Sequence, residues 1–140
     1  MQGDSKRERE RGILDDDDTL LINEVAPRPH NSGHLTIEAA VTSQFEQHLR
    51  TIFALPFGTC DFSQNAIMIN LVGEKGFNGP VVYDGMDELL EISGLHVHLY
   101  GKAETRPMRK MGHLTLTGAD LETLRKTAKR IKQQVVVRTD

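Results

Sequence analysis

Ile22-Asn23-Glu24-Val25-Ala26-Pro27-Arg28-Pro29-His30-Asn31-Ser32-Gly33-His34-Leu35-Thr36 is the stretch from which the rest of this chain is read. Just before it, Leu20-Leu21-Ile22 forms an apolar run with the character of a buried strand. Pro27 and Pro29 keep the following segment out of helical geometry, and Gly33 closes it before an amphipathic pattern begins. Between Glu24 and His34, eleven residues carry a carboxylate, a guanidinium, two imidazoles, an amide and a hydroxyl. A packed core has no use for that density of polar chemistry. A metal-bound phosphate beside a small anion does.

The remainder of the chain limits the options. Its 140 residues suit one domain, or two small units sharing a core. A net charge of −3 gives no case for nucleic acid or an anionic membrane as partner. Cys60 is the single cysteine, so no internal disulfide can form, and a cytoplasmic location is expected. No apolar run approaches the roughly 20 residues that span a bilayer. Residues 1–18 alternate basic and acidic groups and end in Asp15 to Asp18, a pattern expected to be solvated, disordered or a turn.

Downstream, Ile37, Val41, Phe45, Leu49 and Ile52 or Phe53 recur at helical spacing, predicting one helix over 36–54 with Thr36 as N-cap and the phenylalanines in the core. Pro56 ends it, and residues 55–64 read as a linker with Cys60 in a structural role. A second unit over 65–140 then reads as strand 66–72, a Gly/Pro loop, one or two helical turns at 87–92, and strand 95–100. The period of two places His96 and His98 on one face, best taken as a hydrogen-bonded or solvated face. A basic loop at 106–112, a strand at 113–117, a helix at 120–134 and a closing strand at 135–137 complete the pattern.

Asn23-Glu24-Val25-Ala26-Pro27-Arg28-Pro29-His30-Asn31-Ser32-Gly33-His34 resembles the signature near the end of the ATP-grasp domain of 5-(carboxyamino)imidazole ribonucleotide synthases, the ATP-dependent carboxylases of purine synthesis. A second stretch, Leu99-Tyr100-Gly101-Lys102-Ala103-Glu104-Thr105-Arg106-Pro107-Met108-Arg109-Lys110-Met111-Gly112-His113, resembles the other signature of that family, in the expected order. The resemblance covers roughly residues 13–140 and corresponds to the C-terminal third of a family member.

The resemblance implies a set of roles. Glu24 would be a Mg²⁺ ligand, with Asn23 and Glu24 against the phosphates of ATP. Arg28 would hold bicarbonate or carboxyphosphate, a planar anion that suits a forked guanidinium, with His30 and Asn31 lining the same catalytic pocket. Lys102 and Arg109 would grip the phosphate of aminoimidazole ribonucleotide, Lys102 within the catalytic set. Lys110 and His113 are further candidates there; Arg106 is assigned to pairing with Glu104 and His34 to capping the turn. Ala26 stands where many ATP-grasp enzymes have Asn, which favours the purine carboxylase over biotin-dependent relatives.

The second metal carboxylate of the family lies about thirteen residues before Glu24, at Arg11 in this chain, and the nucleotide-clamping parts of a full-length member have no counterpart here. The expected fold is α/β to α+β. A strand, loop and helix from the edge of an ATP-grasp domain (19–54) are expected to dock on a small β-rich unit with one long helix (65–140). The functional expectation is part of an ATP-dependent ligase carboxylating aminoimidazole ribonucleotide with bicarbonate, inactive alone. It would be completed by an N-terminal half on another chain or act in a homodimer of the family type. A non-catalytic module binding phosphoribosyl ligands, or a piece of another ATP-grasp ligase such as a formate-dependent transformylase, are the alternatives.

Overall fold

A computed structural model describes residues 27–140 in full and, upstream of them, the backbone of three short strands. These are β1 (Glu8–Arg9), β2 (Gly12–Leu14) and β3 (Leu20–Ile22), an antiparallel set in the order β1-β2-β3. Ile13 pairs with Leu21, so the strand expected at Leu20–Ile22 is present, and two strands lie in a stretch whose charge pattern suggested a solvated segment. Apolar Gly12-Ile13-Leu14 supplies the pairing partner that the flanking charges obscure. The expectations for Asp15–Asp18, Arg11, Asn23 and Glu24 fall outside the described residues.

The helix predicted over 36–54 is two helices. A 3₁₀ turn at Asn31–Leu35 leads into α1 (Thr36–Ala39); the chain then extends at Ala40, and α2 spans Gln44–Ile52. Two side-chain oxygens cause the break. Ser43 Oγ accepts the Glu46 N–H at 3.1 Å, an N-cap that starts a new helix. Thr36 Oγ1 accepts the Gln44 N–H at 2.8 Å. Thr36 therefore caps the second helix from within the first, instead of capping the first as expected. The apolar stripe is not core either. Among the described residues Ile37, Val41, Leu49, Ile52, Phe53, Phe57 and Phe62 are exposed, and Phe45 is only half-buried.

The C-terminal part is built on an antiparallel sheet. Strand β4 (Asn65–Val72) pairs with β9 (Lys110–Gly118), which pairs on its other side with β7 (Leu95–Leu99). Between β4 and β7 come β5 (Gly79–Pro80), β6 (Val82–Asp84) and the short helix α3 (Met86–Leu89). Strand β8 (Glu104–Thr105) pairs with β5, and β10 (Val136–Arg138) pairs with β6 after helix α4 (Leu121–Gln134). Asp120 caps α4 by accepting the Thr123 N–H at 2.9 Å.

One face of the sheet presents Leu71, Leu114 and Leu116 to Leu124 and Ile131 of α4, with Leu89, Met111 and Val137 completing the core. The central strand β9 is buried along Met111–Thr117 and starts at Lys110, so the basic loop expected at 106–112 is shorter than its composition suggested. Strand alternation puts Asn70, His113 and His98 on the opposite face, in one cross-strand row: Asn70 opposite His113, and His98 opposite His113. That polar row is where the N-terminal segment docks.

Candidate functional site

The segment 31–38 crosses the sheet. Asn31, His34 and Glu38 fall at i, i+3 and i+7, one side of a helical path, and cover on the order of 10–12 Å. Two strand spacings amount to about 10 Å. Each side chain consequently meets one strand. Asn31 Nδ2 donates to Asn70 Oδ1 of β4 at 3.0 Å. The His34 ring lies 4.4 Å from that of His113 on β9. Glu38 Oε1 accepts from His98 Nε2 of β7 at 2.6 Å.

The loop ahead of this seam carries Arg28, His30 and Asn31. His30 Nδ1 accepts the Ser32 N–H at 3.3 Å and lies 2.7 Å from Ser32 Oγ, which places the proton of its neutral ring on Nε2. The His30 N–H donates to Gln44 Oε1 at 2.8 Å. Arg28 is exposed, and among the described residues its guanidinium bonds only the Pro29 carbonyl, at 3.2 Å. It lines an open hollow of about 410 Å³ with Gln44, Gln47, His48 and Thr51. His34 Nδ1 donates to the Asn31 carbonyl at 2.6 Å, so it does close the turn, and its ring packs between Phe45 and His113 as well.

Lys102 and Arg109 sit on a single loop between β7 and β9, stapled at both ends. The Lys102 ammonium donates to the Lys110 carbonyl and lies 5.3 Å from the Tyr100 ring centroid; Arg109 Nη1 donates to the Glu104 carbonyl at 2.9 Å. Arg106-Pro107-Met108-Arg109 closes as a tight turn, the Arg109 N–H donating to the Arg106 carbonyl at 3.0 Å. Gly73 holds that turn: it has no Cβ, and one would lie 2.2 Å from the Arg106 carbonyl oxygen. The described residues include no Arg106–Glu104 ion pair; Glu104 engages Arg109 instead, through its backbone.

His113 is not a phosphate-gripping cation. It is 2 % exposed, and burial, followed by the nearby His34 and His98, lowers its pKa to about 4, so it is neutral at pH 7. Tyr100 OH lies 3.0 Å from His113 Nδ1, and burial raises the tyrosine pKa, so the hydroxyl keeps its proton and is assigned as the donor. The His98 and His113 rings stack at 4.4 Å, 11° from parallel. His34, His98, Tyr100 and His113 line an open hollow of about 440 Å³, closed on its apolar side by Ile37, Phe45 and Val97. Among the described residues no group of three or more His, Cys, Asp or Glu side chains is placed to hold a metal ion.

The sequence reading brought Lys102 together with Arg109, and Arg28 with His30 and Asn31. It missed Gln44, Glu38, Asn70, His98 and Tyr100 as members of the same assembly. The signal was available for part of it: polar residues spaced 31, 34, 38 ahead of strands with alternate histidines.

Residues 66–127 match the model of the phosphoribosylaminoimidazole carboxylase C-terminal domain, and residues 13–45 match that of the ATP-grasp domain. A phosphoribosylaminoimidazole carboxylase of Schizosaccharomyces pombe is 49% identical over 109 residues, covering 74% of this chain and 19% of that protein. The N5-carboxyaminoimidazole ribonucleotide synthase of Bacillus subtilis is 45% identical over 103 residues, covering 74% of this chain and 26% of that protein. The crystal structure of the corresponding Thermotoga maritima synthetase is 50% identical, with a TM-score of 0.86, over 92% of this chain and 36% of that one. An Aspergillus clavatus synthase solved with ADP and 5-aminoimidazole ribonucleotide is 32% identical, with a TM-score of 0.72, over 87% of this chain and 33% of that one. The chain thus spans about a fifth to a third of the length of these relatives.

Proposed function

We propose that this chain, the counterpart of the C-terminal third of N5-carboxyaminoimidazole ribonucleotide synthases, supplies the bicarbonate-handling loop and the ribonucleotide phosphate loop of an ATP-dependent carboxylation of 5-aminoimidazole ribonucleotide. The observation that carries the reading is the seam. It fixes the Arg28–Asn31 loop to the same three-stranded sheet whose strands β7 and β9 carry the Lys102–Arg109 loop between them.

In this reading bicarbonate attacks the γ-phosphorus of ATP and ADP leaves. The carboxyl carbon of the resulting carboxyphosphate then bonds to the ribonucleotide amine as its C–O bond to the phosphate breaks, and the released inorganic phosphate carries off the amine proton. Arg28, with no carboxylate partner among the described residues, holds the planar anion through its forked N–H groups. His30, with Nδ1 held by Ser32 and the proton on Nε2, donates a hydrogen bond from Nε2 to the anion. The Asn31 side-chain nitrogen is engaged by Asn70, which holds the amide in orientation beside the anion. Lys102 and Arg109 pair with the ribonucleotide phosphate, exchanging their present carbonyl contacts for a doubly charged partner. Asn23 and Glu24 complete the proposal toward ATP, Glu24 as the carboxylate that would hold Mg²⁺, whose charge offsets that developing on the transferred phosphoryl group.

The test is ADP release by the purified chain given Mg-ATP, bicarbonate and aminoimidazole ribonucleotide. It is run alone and mixed with the separately expressed N-terminal two-thirds of an intact synthase. Turnover on mixing, abolished by Arg28→Ala, is the expected result. No turnover in either arm, with retained binding of the ribonucleotide, would replace the reading with a non-catalytic phosphoribosyl-binding module. Formate preferred over bicarbonate would move it to a different ATP-grasp ligase.

A further inference from the structure

We infer that Glu38, His98, His113 and Tyr100 form a positioning relay that sets Lys102 relative to the Arg28–Asn31 loop. The inference rests on the roles proposed above for those two loops, but the physical coupling is testable without them.

The relay is continuous in space and discontinuous in sequence. Glu38, at the end of the docking segment, bonds His98 across 60 positions of chain. His98 stacks face to face on His113, the buried residue opposite it in the central strand. The His113 ring then takes the Tyr100 hydroxyl at 3.0 Å. Tyr100 is two residues from Lys102, and the Lys102 ammonium rests 5.3 Å from its ring centroid. No member is an ordinary packing residue. The Glu38 side chain is 9% exposed, and its second oxygen, Oε2, is buried without a partner among the described residues, as is His113 Nε2. A fold selecting only for stability would place apolar groups here, because buried polar atoms without partners cost free energy that apolar atoms do not. Keeping a carboxylate, two imidazoles and a phenol makes the contact directional. It bonds in one register only, and that register fixes where Tyr100, and so Lys102, stands relative to the segment carrying Arg28–Asn31.

The alternative is a merely local role for each bond. Tyr100→Phe separates the two, because it keeps the ring beneath the Lys102 ammonium and removes only the hydroxyl at His113. Amide hydrogen exchange is read on the 140-residue chain by NMR. The relay predicts that Tyr100→Phe accelerates exchange at both ends, in residues 30–38 and in residues 99–102. The factor expected from one lost hydrogen bond is about three- to tenfold. Exchange in helix α4 stays unchanged. Glu38→Gln, which weakens the opposite end, should give the same pattern. Acceleration confined to residues near the substitution, or none, overturns the inference. Ribose 5-phosphate is then titrated as the probe. Wild type should shift the Lys102 and Arg109 amides, and Tyr100→Phe should bind it several-fold more weakly, with its thermal midpoint retained. Unshifted Lys102 and Arg109 in wild type would remove the proposed phosphate site, while the exchange data would still decide the relay.

Discussion

Gln44 Oε1 accepts the backbone N–H of His30 at 2.8 Å and occupies the space where Gly33 would carry a Cβ, 2.1 Å from that point. The glycine is therefore required by a side chain fourteen residues from the bond it makes, not by its own backbone. Gly33→Ala must displace the Gln44 carboxamide and with it the His30 bond. A loss of about 1–2 kcal/mol follows from one part-buried hydrogen bond and the local adjustment. Urea unfolding of the variant measures it, and Gln44→Ala combined with Gly33→Ala should cost little more than Gln44→Ala alone.

His113 makes stability depend on pH. Its folded pKa of about 4 lies below the ordinary 6.5, so the unfolded chain binds a proton that the native state refuses. The contribution is fully present above pH 6.5 and is lost as pH falls from there toward 4. Between pH 7 and pH 5 it amounts to about 2 kcal/mol, a window that precedes most carboxylate titration. Denaturant midpoints at the two pH values should show a drop of that order. His113→Gln should flatten it, and a wild-type midpoint that does not move would contradict the assignment of a neutral, buried imidazole.

The sheet was legible because strand periodicity survives burial: Ala66–Val72, Leu95–Tyr100 and the capped helix at 121–134 all carry their period in the sequence. The helix at 36–54 misled because Ile37, Val41, Phe45 and Leu49 keep a helical period across a break made by hydroxyls. Thr36 and Ser43 bond amides that a continuous helix would have used itself. The cations were legible as types, and their staples were not, since Lys102 and Arg109 are held by backbone carbonyls, which have no sequence signature. His113 was misassigned by its neighbours. Beside Arg109 and Lys110 it reads as one more cation, whereas strand alternation turns it into the protein.

The exposed apolar stripe separates period from burial in a measurable way. Phe53, expected in the core from its helical spacing, is 67% exposed, whereas Leu114 on the central strand is 0% exposed. Leu114→Ala should cost about 2–5 kcal/mol, the range for a buried leucine with incomplete collapse of the cavity. Phe53→Ser should stay within about 0.5 kcal/mol, as surface substitutions do. Thermal unfolding of both variants compares them directly. A large loss for Phe53→Ser would mean that this face is covered in solution, and sedimentation of the wild type would then show association.

Met108 marks the strained point of the Lys102–Arg109 loop. It stands third in the Arg106–Arg109 turn with φ of 62°, the position that asks for glycine in a turn with proline second. Its side chain is 78% exposed and so has little burial to lose. Holding a β-carbon in that region costs about 1–2 kcal/mol, and glycine relieves it while adding about 0.5–1 kcal/mol of unfolded-state entropy. Met108→Gly should consequently be neutral or stabilising by up to about 1 kcal/mol. Met108→Val should be destabilising by more than that, because a branched β-carbon tolerates positive φ worst. The turn fixes the backbone of Arg109, so, on the phosphate-binding role proposed for Arg109, the valine variant should also weaken phosphate-ester binding while leaving helix α4 intact by amide exchange. Equal stability of the glycine, methionine and valine forms would show that the turn relaxes in solution, and that Arg109 is held by its Glu104 carbonyl bond alone.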